Sequence, residues 1–220
     1  MDPNKILLIG DSRVRRLGEF AAYYRRELFY YCEVVSFSGK TLSYIVGELL
    51  EILKSTKFTY VIVLAGVNEL TTKMNNHVQL RAGFVRKMPA SLMSVIQFCC
   101  WSAEFISPQT KLIFCPEIGL CVAKYNEHLS NIDVRYKTYN NLDALQLLLI
   151  WKLKKHNENI VSFNDRASLP TPKFHRRVFH KYKSRGIRCA YSLLKDGIHQ
   201  NDTLSNIMIT SILDCIYSLP

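Results

Sequence analysis

The sequence lacks any apolar run long enough to cross a membrane. Near its middle, the run Leu147–Trp151 falls far short of the roughly 20 residues that a spanning helix needs. Residues 1–4 carry no basic leader, and the apolar run that follows them is too brief for a secretory signal. We therefore expect no transmembrane segment and a protein that is not secreted.

The sequence also lacks the cysteine patterns of disulfide frameworks and zinc sites. Its 7 cysteines form an odd set, and none belongs to a Cys-x-x-Cys pair or to a His/Cys cluster with metal-ligand spacing. Cys99 and Cys100 are adjacent and flanked by apolar residues, as buried thiols often are. We expect reduced core cysteines, a cytoplasmic or nuclear protein, and no structural metal.

Acidic residues are scarce relative to basic ones, because 18 Asp and Glu residues stand against 29 Lys and Arg residues. The formal net charge of +11 favours a polyanionic neighbour, with nucleic acid the first candidate and an anionic membrane surface the second. The chain has no internal repeat and no low-complexity linker, and 48% of its 220 residues are hydrophobic. This length and composition predict a single folded domain over residues 1–220.

Short apolar runs alternate with amphipathic segments along the chain. We predict strands at residues 6–9, 32–37, 60–65, 111–115 and 160–163. We predict helices over residues 13–31, from 41 to 53, over 78–106 with a break at Pro89, over 133–155, and from 201 onward. Strands that alternate with helices indicate a parallel five-stranded sheet in a three-layer α/β/α, flavodoxin-like domain.

A glycine, an acid and a hydroxyl follow the first predicted strand, at Gly10, Asp11 and Ser12. Ser12 is therefore expected where a buried strand ends and a helix begins, and the helix start supplies free backbone N–H groups and a positive dipole end. A serine there can attack an electrophile while those N–H groups hold the developing oxyanion. Considered alone, the same three residues are better explained as a simple helix cap.

Three other segments carry residues of the same kind. Asp196 precedes His199 by three residues, a spacing that lets the carboxylate orient the imidazole. Ser38–Lys40 follows the second predicted strand, and Ala65–Glu69 follows the third. Because the carboxyl ends of parallel strands meet at one edge of a sheet, these segments and Ser12 should converge there. The four ordered segments resemble the sequence blocks of the SGNH, or GDSL-type, hydrolases over nearly the whole chain.

The resemblance implies a serine esterase that hydrolyses acyl or acetyl esters of small substrates and needs no cofactor. In that family's mechanism Ser12 is the nucleophile, His199 moves the proton, and Asp196 holds the imidazole. The backbone N–H groups of Ser12 and Gly39 and the side-chain amide of Asn68 form the oxyanion hole. Each of these residues alone fits a structural role, and only their joint order favours catalysis.

Two positions depart from the family pattern. Glu69 follows Asn68 where the family usually has aspartate, and a longer acid can shift the loop. Arg13 follows Ser12 where the family often has an apolar residue. Two interpretations of Arg13 stay open at this point: it recognises an anionic substrate, or it faces solvent.

A basic insertion lies between the fifth predicted strand and Asp196, at about residues 166–192, and its stretch 170–188 contains no acid. Its candidate phosphate contacts are Arg176, Arg177, Lys181, Lys183, Arg185 and Arg188. Phe174, Phe179 and Tyr182 lie among them, so the segment can neutralise phosphates and stack on unpaired bases. A solvated surface segment explains the composition equally well, and a nuclear-localisation signal is a third interpretation.

The alternative function is therefore an SGNH-fold module that binds RNA or another polyanion with little or no hydrolysis. In its basic character the chain resembles the esterase domains of open reading frame 1 proteins of animal retrotransposons. It is less similar to SGNH-like domains that bind RNA after losing their catalytic residues, because all four blocks are present here.

Overall fold

The structure is a computed structural model that describes residues 5–24, 31–74, 77–80, 84–115, 125–126, 128 and 194–218. The strands are β1 (Ile6–Gly10), β2 (Cys32–Ser36), β3 (Tyr60–Leu64), β4 (Thr71–Met74), β5 (His77–Leu80) and β6 (Lys111–Cys115). The helices are α1 (Ser12–Tyr24), α2 (Leu42–Ser55), α3 (Val67–Leu70), α4 (Phe84–Ile106) and α5 (Asp202–Ser218).

Four parallel strands form the main sheet in the spatial order β2-β1-β3-β6. Strand β1 lies between β2 and β3, and all its residues are buried, as expected for a strand covered on both faces. Gly10, the last residue of β1, lies opposite Ser36 of β2 and Leu64 of β3. Since these three strands end in register, the chain leaves all of them at the same edge of the sheet.

Alternate strand residues point to opposite faces of the sheet and fill two separate cores. Leu7 and Val61 belong to the core that includes the apolar faces of α2 and α4. Leu8 and Ile62 belong to the core that includes residues of α1 and α5. The helices thus cover both faces of the sheet, and the predicted three-layer α/β/α fold is confirmed.

The end of β1 requires glycine. A Cβ at Gly10 would lie 1.9 Å from the Leu64 carbonyl oxygen and 2.6 Å from a methyl group of Val14. The next residue also contacts the neighbouring strand, because the Asp11 N–H donates to the Leu64 carbonyl over 3.1 Å. Any side chain at position 10 would push β1 away from β3, so this close approach needs glycine.

Most elements predicted within the described residues are confirmed. The strands predicted at 6–9, 32–37, 60–65 and 111–115 are β1, β2, β3 and β6, and the helices predicted from 41 and 201 are α2 and α5. Thr41 and Asn201 cap these two helices by accepting hydrogen bonds from the N–H groups of Tyr44 and Leu204. The strand predicted at 160–163, the helix predicted at 133–155 and the basic insertion at about 166–192 lie outside the described residues.

Two predictions about the middle of the chain are wrong. Strands β4 and β5 form an antiparallel hairpin, although the sequence predicts a helix from Val78. Helix α4 then runs from Phe84 to Ile106 without a break at Pro89. Pro89 lies in the second helical turn, so its missing N–H removes one backbone hydrogen bond near the start of a 23-residue helix, and the later turns are unaffected.

The first predicted helix is confirmed up to Tyr24, where α1 ends. Residues 25–30 of the prediction lie outside the described ranges, and Tyr31, its last residue, lies in a turn instead.

The thiols of Cys99, Cys100 and Cys115 are buried as predicted, whereas Cys32 is only partly buried. Burial raises the pKa of the Cys99 thiol to about 12, so this side chain behaves as a small apolar residue at neutral pH.

None of the helices in the described ranges combines the length and the apolar character needed to cross a bilayer.

Candidate active site

Ser12 is the first residue of α1 and lies just beyond the end of β1. The Val14 N–H donates to the Asp11 carbonyl over 3.0 Å, which closes the first turn after the strand. The Phe37 N–H donates to the Gly10 carbonyl over 2.7 Å, so the chain leaving β2 is bound to the same turn. These contacts hold the Ser12 hydroxyl at the carboxyl edge of the sheet.

Residues 194–200 form a closed loop in front of α5. Leu194 and Gln200 make an antiparallel bridge, and the Lys195 N–H donates to the His199 carbonyl over 2.7 Å. Inside the loop, Asp196 Oδ1 accepts hydrogen bonds from the backbone N–H groups of Ile198 (3.1 Å) and His199 (2.7 Å). The loop therefore sets the position of His199 relative to Asp196 through its own backbone.

The structure brings Ser12, His199 and Asp196 together. Ser12 Oγ lies 2.8 Å from His199 Nε2, and His199 Nδ1 lies 2.6 Å from Asp196 Oδ2. When Nδ1 carries the proton and donates it to the carboxylate, Nε2 is left as the acceptor for the Ser12 hydroxyl. The three side chains then form one continuous chain of hydrogen bonds.

The environment of Asp196 keeps its carboxyl group ionised. Burial alone would raise the pKa of Asp196, but hydrogen bonds and charge from His199, together with the Ile198 N–H, outweigh burial and hold the pKa well below its ordinary value of 3.8. The guanidinium of Arg16 adds a positive charge 3.7 Å from Asp196 Oδ2. An ionised acid in this position favours the protonated Nδ1 tautomer of His199.

Gly39 lies in the loop after β2 and Asn68 in the short helix α3 after β3, both at the same edge of the sheet. Asn68 Nδ2 donates to the Lys40 carbonyl over 2.8 Å, so the amide contacts the loop that contains Gly39. Gly39 has a φ of +75°, in the left-handed region that favours glycine. The structure thus joins the two predicted oxyanion segments to each other.

Glu69, the departure from the family pattern, strengthens the contact between these two segments. Its Oε1 accepts a hydrogen bond from the Leu42 N–H at the start of α2, while its Oε2 is buried without a hydrogen-bond partner among the described residues. Burial, partly offset by the Leu42 bond, raises the pKa of Glu69. The longer acid thus binds the helix start that follows the Gly39 loop.

Both interpretations of Arg13 are wrong. Its side chain is 1% exposed, and Nε and Nη2 donate to the two carboxylate oxygens of Asp11 over 2.9 Å and 2.7 Å. The Arg13 backbone N–H donates to the same carboxylate over 3.0 Å. Because this cation is buried and paired beneath the Ser12 turn, it neither faces solvent nor reaches a substrate.

Sequence reasoning missed three residues around the site. Arg16 contacts Asp196, Gln200 Nε2 donates to the Arg13 carbonyl over 2.9 Å, and Tyr125 lies close enough to Asp196 that burial and this charge together raise its pKa. The only sequence signal was the position of Arg16 one helical turn after Ser12, since residues four apart share a helix face.

An open groove of about 680 Å³ borders the acid side of this arrangement, between α1 and the start of α5. Its lining includes Arg16, Phe20, Tyr24, Lys195 and Asn201. Ser12 and His199 are not among its lining residues. Among the described residues no cluster of His, Cys, Asp and Glu could hold a metal ion.

Comparisons by sequence and by structure give different results. No protein-family model matches the sequence, and no curated protein matches it. A candidate acylhydrolase from Bacteroides fragilis superposes with a TM-score of 0.61 at 12% identity, over 98% of this chain and 88% of that one. A GDSL-like lipase from Bacteroides thetaiotaomicron gives 0.56 at 14% identity, over 97% and 88%.

A third solved structure is the C-terminal catalytic domain of peptidoglycan O-acetyltransferase A from Streptococcus pneumoniae. It superposes with a TM-score of 0.54 at 12% identity, over 98% of this chain and 93% of that one. At such low identity the likeness shows a common fold, and the activity has to be argued from the site itself.

Proposed function

Because the chain has the fold of the SGNH, or GDSL-type, hydrolases, we propose that it is a serine esterase for acyl or acetyl esters. The observation that carries the proposal is the chain of hydrogen bonds from Ser12 through His199 to Asp196. A serine that only capped α1 would need no histidine 187 residues away in the sequence. Nucleophile, base and orienting acid within hydrogen-bond distance are the arrangement that activates a serine.

In the first half of the reaction, Ser12 Oγ attacks the carbonyl carbon of the ester while His199 Nε2 takes the hydroxyl proton. The carbonyl π electrons move to oxygen and form a tetrahedral oxyanion. When the C–O bond to the alcohol breaks, His199 gives its proton to the leaving oxygen. Asp196 stabilises the imidazolium between these two steps, and an acyl group remains on Ser12.

In the second half, water attacks the acyl carbon and gives a proton to His199. The bond to Ser12 Oγ breaks, the serine recovers its proton, and the carboxylic acid leaves. The backbone N–H groups of Ser12 and Gly39 and the amide of Asn68 would stabilise both oxyanions. Loss of one such donor costs about 3 kcal/mol of transition-state stabilisation, so Asn68→Ala should reduce kcat on the order of 100-fold.

The names of the structural neighbours support an acyl substrate. They include a lipase and a peptidoglycan O-acetyltransferase, and a further neighbour with a TM-score of 0.52 at 13% identity is an acetyl xylan esterase. All three names describe chemistry at an acyl carbonyl carbon. We therefore place small esters, with acetyl or another short acyl group, first among the substrates.

The proposal is tested with a fluorophosphonate probe, which reacts covalently with activated serines. Wild-type protein should be labelled, Ser12→Ala should not be labelled, and His199→Ala should react slower by a factor on the order of 10³. Ser55→Ala is the matched control, because this exposed hydroxyl at the end of α2 donates only to the Ile52 carbonyl. A well-folded wild-type protein that does not react would contradict the proposal.

A second candidate function, contact with RNA or another polyanion, rests on a different observation. The net charge is +11, and the acid-free stretch 170–188 interleaves basic and aromatic residues. Such a contact is compatible with ester hydrolysis, because it involves other residues.

A further inference from the structure

The nucleophile and the base of the proposed site are held by segments far apart in the sequence. Ser12 begins α1, whereas His199 lies in the loop 194–200. That loop is braced internally by the Leu194–Gln200 bridge and by the backbone bonds to Asp196. These contacts do not fix the position of the whole loop relative to α1. That position matters for the rate, because a displacement on the order of 1 Å between reacting groups can cost about 100-fold.

Gln200 provides a direct link between the two segments. It follows His199 immediately, its side chain is 4% exposed, and Nε2 donates to the Arg13 carbonyl over 2.9 Å. Arg13 in turn follows Ser12 immediately. A single side chain-to-backbone hydrogen bond therefore joins the residue after the base to the residue after the nucleophile.

The residue that supplies the acceptor is itself bound to Asp11. The Asp11 carboxylate binds the Arg13 backbone N–H and the guanidinium together, in a buried ion pair. Charge-assisted bonds of this kind are about twice as strong as neutral ones, and they hold Arg13 against Asp11. Gln200 is thus attached to a residue that is itself bound to the turn before Ser12.

The other atom of the carboxamide lowers the stability that Gln200 contributes. Gln200 Oε1 is buried without a hydrogen-bond partner among the described residues. A buried polar atom left without a partner lowers stability, whereas an apolar side chain of similar size would leave no such atom. The amide is costly to bury here, and what it contributes is the bond to Arg13.

We propose that Gln200 is a positioning residue, which sets the distance between Ser12 Oγ and His199 Nε2 by holding the histidine loop against the Arg13 carbonyl. This inference rests on the proposed function, because it assigns Gln200 a role in the same site. Gln200 acts through the two segments and touches no reacting atom.

The test compares Gln200→Leu and Gln200→Glu with the wild-type protein. Leucine removes the donor, and glutamate keeps the shape but places a carboxylate oxygen against the Arg13 carbonyl. Both variants should lose 10- to 100-fold in kcat on a short-chain chromogenic ester, roughly the cost of a small misplacement of reacting groups, with KM changed less than about threefold. In Gln200→Leu the urea midpoint should change little, because removal of the buried unpartnered oxygen offsets the lost bond to Arg13.

The matched control is Thr110→Val. Thr110 Oγ1 donates to the Phe58 carbonyl over 2.7 Å, a bond of the same kind between distant segments, but it lies before β6 at the opposite edge of the sheet. This variant should lose stability and keep kcat. Equal kcat in Gln200→Leu and wild type would overturn the inference, as would a loss of kcat in Thr110→Val matching that of Gln200→Leu.

A measurement without turnover separates this inference from the proposed function. The ¹⁵N chemical shift of His199 Nε2 reports its hydrogen bond to Ser12, with Ser12→Ala as the reference for a broken bond. Gln200→Leu should move the shift toward that reference, and an unchanged shift would refute the positioning role. A wild-type protein that shows the bond but neither reacts with the probe nor hydrolyses esters would contradict the proposed function alone.

Discussion

At the scale of single residues, the Asp196 carboxylate accepts three hydrogen bonds from its own loop, one of them from His199 Nδ1. Asp196→Asn keeps the shape but removes the charge and favours the wrong imidazole tautomer. We expect kcat to fall on the order of 10³-fold or more, measured with a short-chain ester. Asp202→Asn, at an exposed position in the first turn of α5, is the control and should keep full activity.

The lowered pKa of Asp196 also predicts how stability depends on acid. A carboxyl group whose pKa is depressed in the folded protein stabilises the fold above its unfolded value near 3.8, and that stabilisation is lost as the pH falls below it. Urea unfolding between about pH 5 and pH 2 should therefore show a steeper loss of stability in the wild type than in Asp196→Asn. Parallel curves for the two proteins would show that this carboxylate is not linked to folding.

At the scale of elements, the join between β1 and β3 depends on the missing side chain at Gly10. Gly10→Ala places a Cβ 1.9 Å from the Leu64 carbonyl oxygen, so the strands must separate where the Ser12 turn begins. We expect a loss of about 3 kcal/mol in unfolding free energy, at the upper end of overpacking effects, together with loss of probe labelling.

Gly47 offers the opposite case for comparison. It is exposed in α2, and a Cβ there would meet no atom within 4 Å. Gly47→Ala should raise the unfolding free energy by about 0.5–1 kcal/mol and leave labelling unchanged, because alanine is the better helix former. If both alanine variants behaved alike, the close approach at Gly10 would not be the cause.

The contact between the α3 turn and α2 depends on Glu69. Glu69→Gln keeps an acceptor for the Leu42 N–H. It also removes a carboxylate whose burial is unfavourable, as the raised pKa of Glu69 indicates, so the variant should be at least as stable as wild type at neutral pH. Glu69→Ala removes the acceptor and should cost about 1 kcal/mol, as the loss of a helix cap does. Urea unfolding of both variants measures the difference, and a glutamine variant as unstable as the alanine variant would argue for a role of the charge.

At the scale of the whole molecule, the net charge of +11 predicts binding to polyanions. A variant with Lys181, Lys183 and Arg185 all changed to Ala should bind single-stranded RNA more weakly. The slope of log binding constant against log salt concentration should also become shallower, by up to about two units. Fluorescence anisotropy at several salt concentrations measures both quantities. Ester hydrolysis should be unchanged, and unaltered RNA binding would exclude this segment as the contact.

The fold and the residues that meet at the candidate site could be predicted because their signals are local. Four short apolar runs end in polar turns, the pattern expected of buried parallel strands. The hairpin of β4 and β5 was missed because its strands have four residues each, too few for periodicity to separate strand from helix. The continuous helix through Pro89 was missed because a proline near the start of a helix removes only one backbone hydrogen bond, so the later turns can continue.

By itself the sequence determined the layered α/β fold and the order of Ser12, Gly39, Asn68 and His199 along it, since hydrophobic periodicity and turn residues act over a few positions. Only the tertiary structure decided the partners of Arg13 and Gln200. Whether a cation faces water or a carboxylate, and which distant carbonyl an amide reaches, depends on contacts made after the chain has folded, across up to 187 residues.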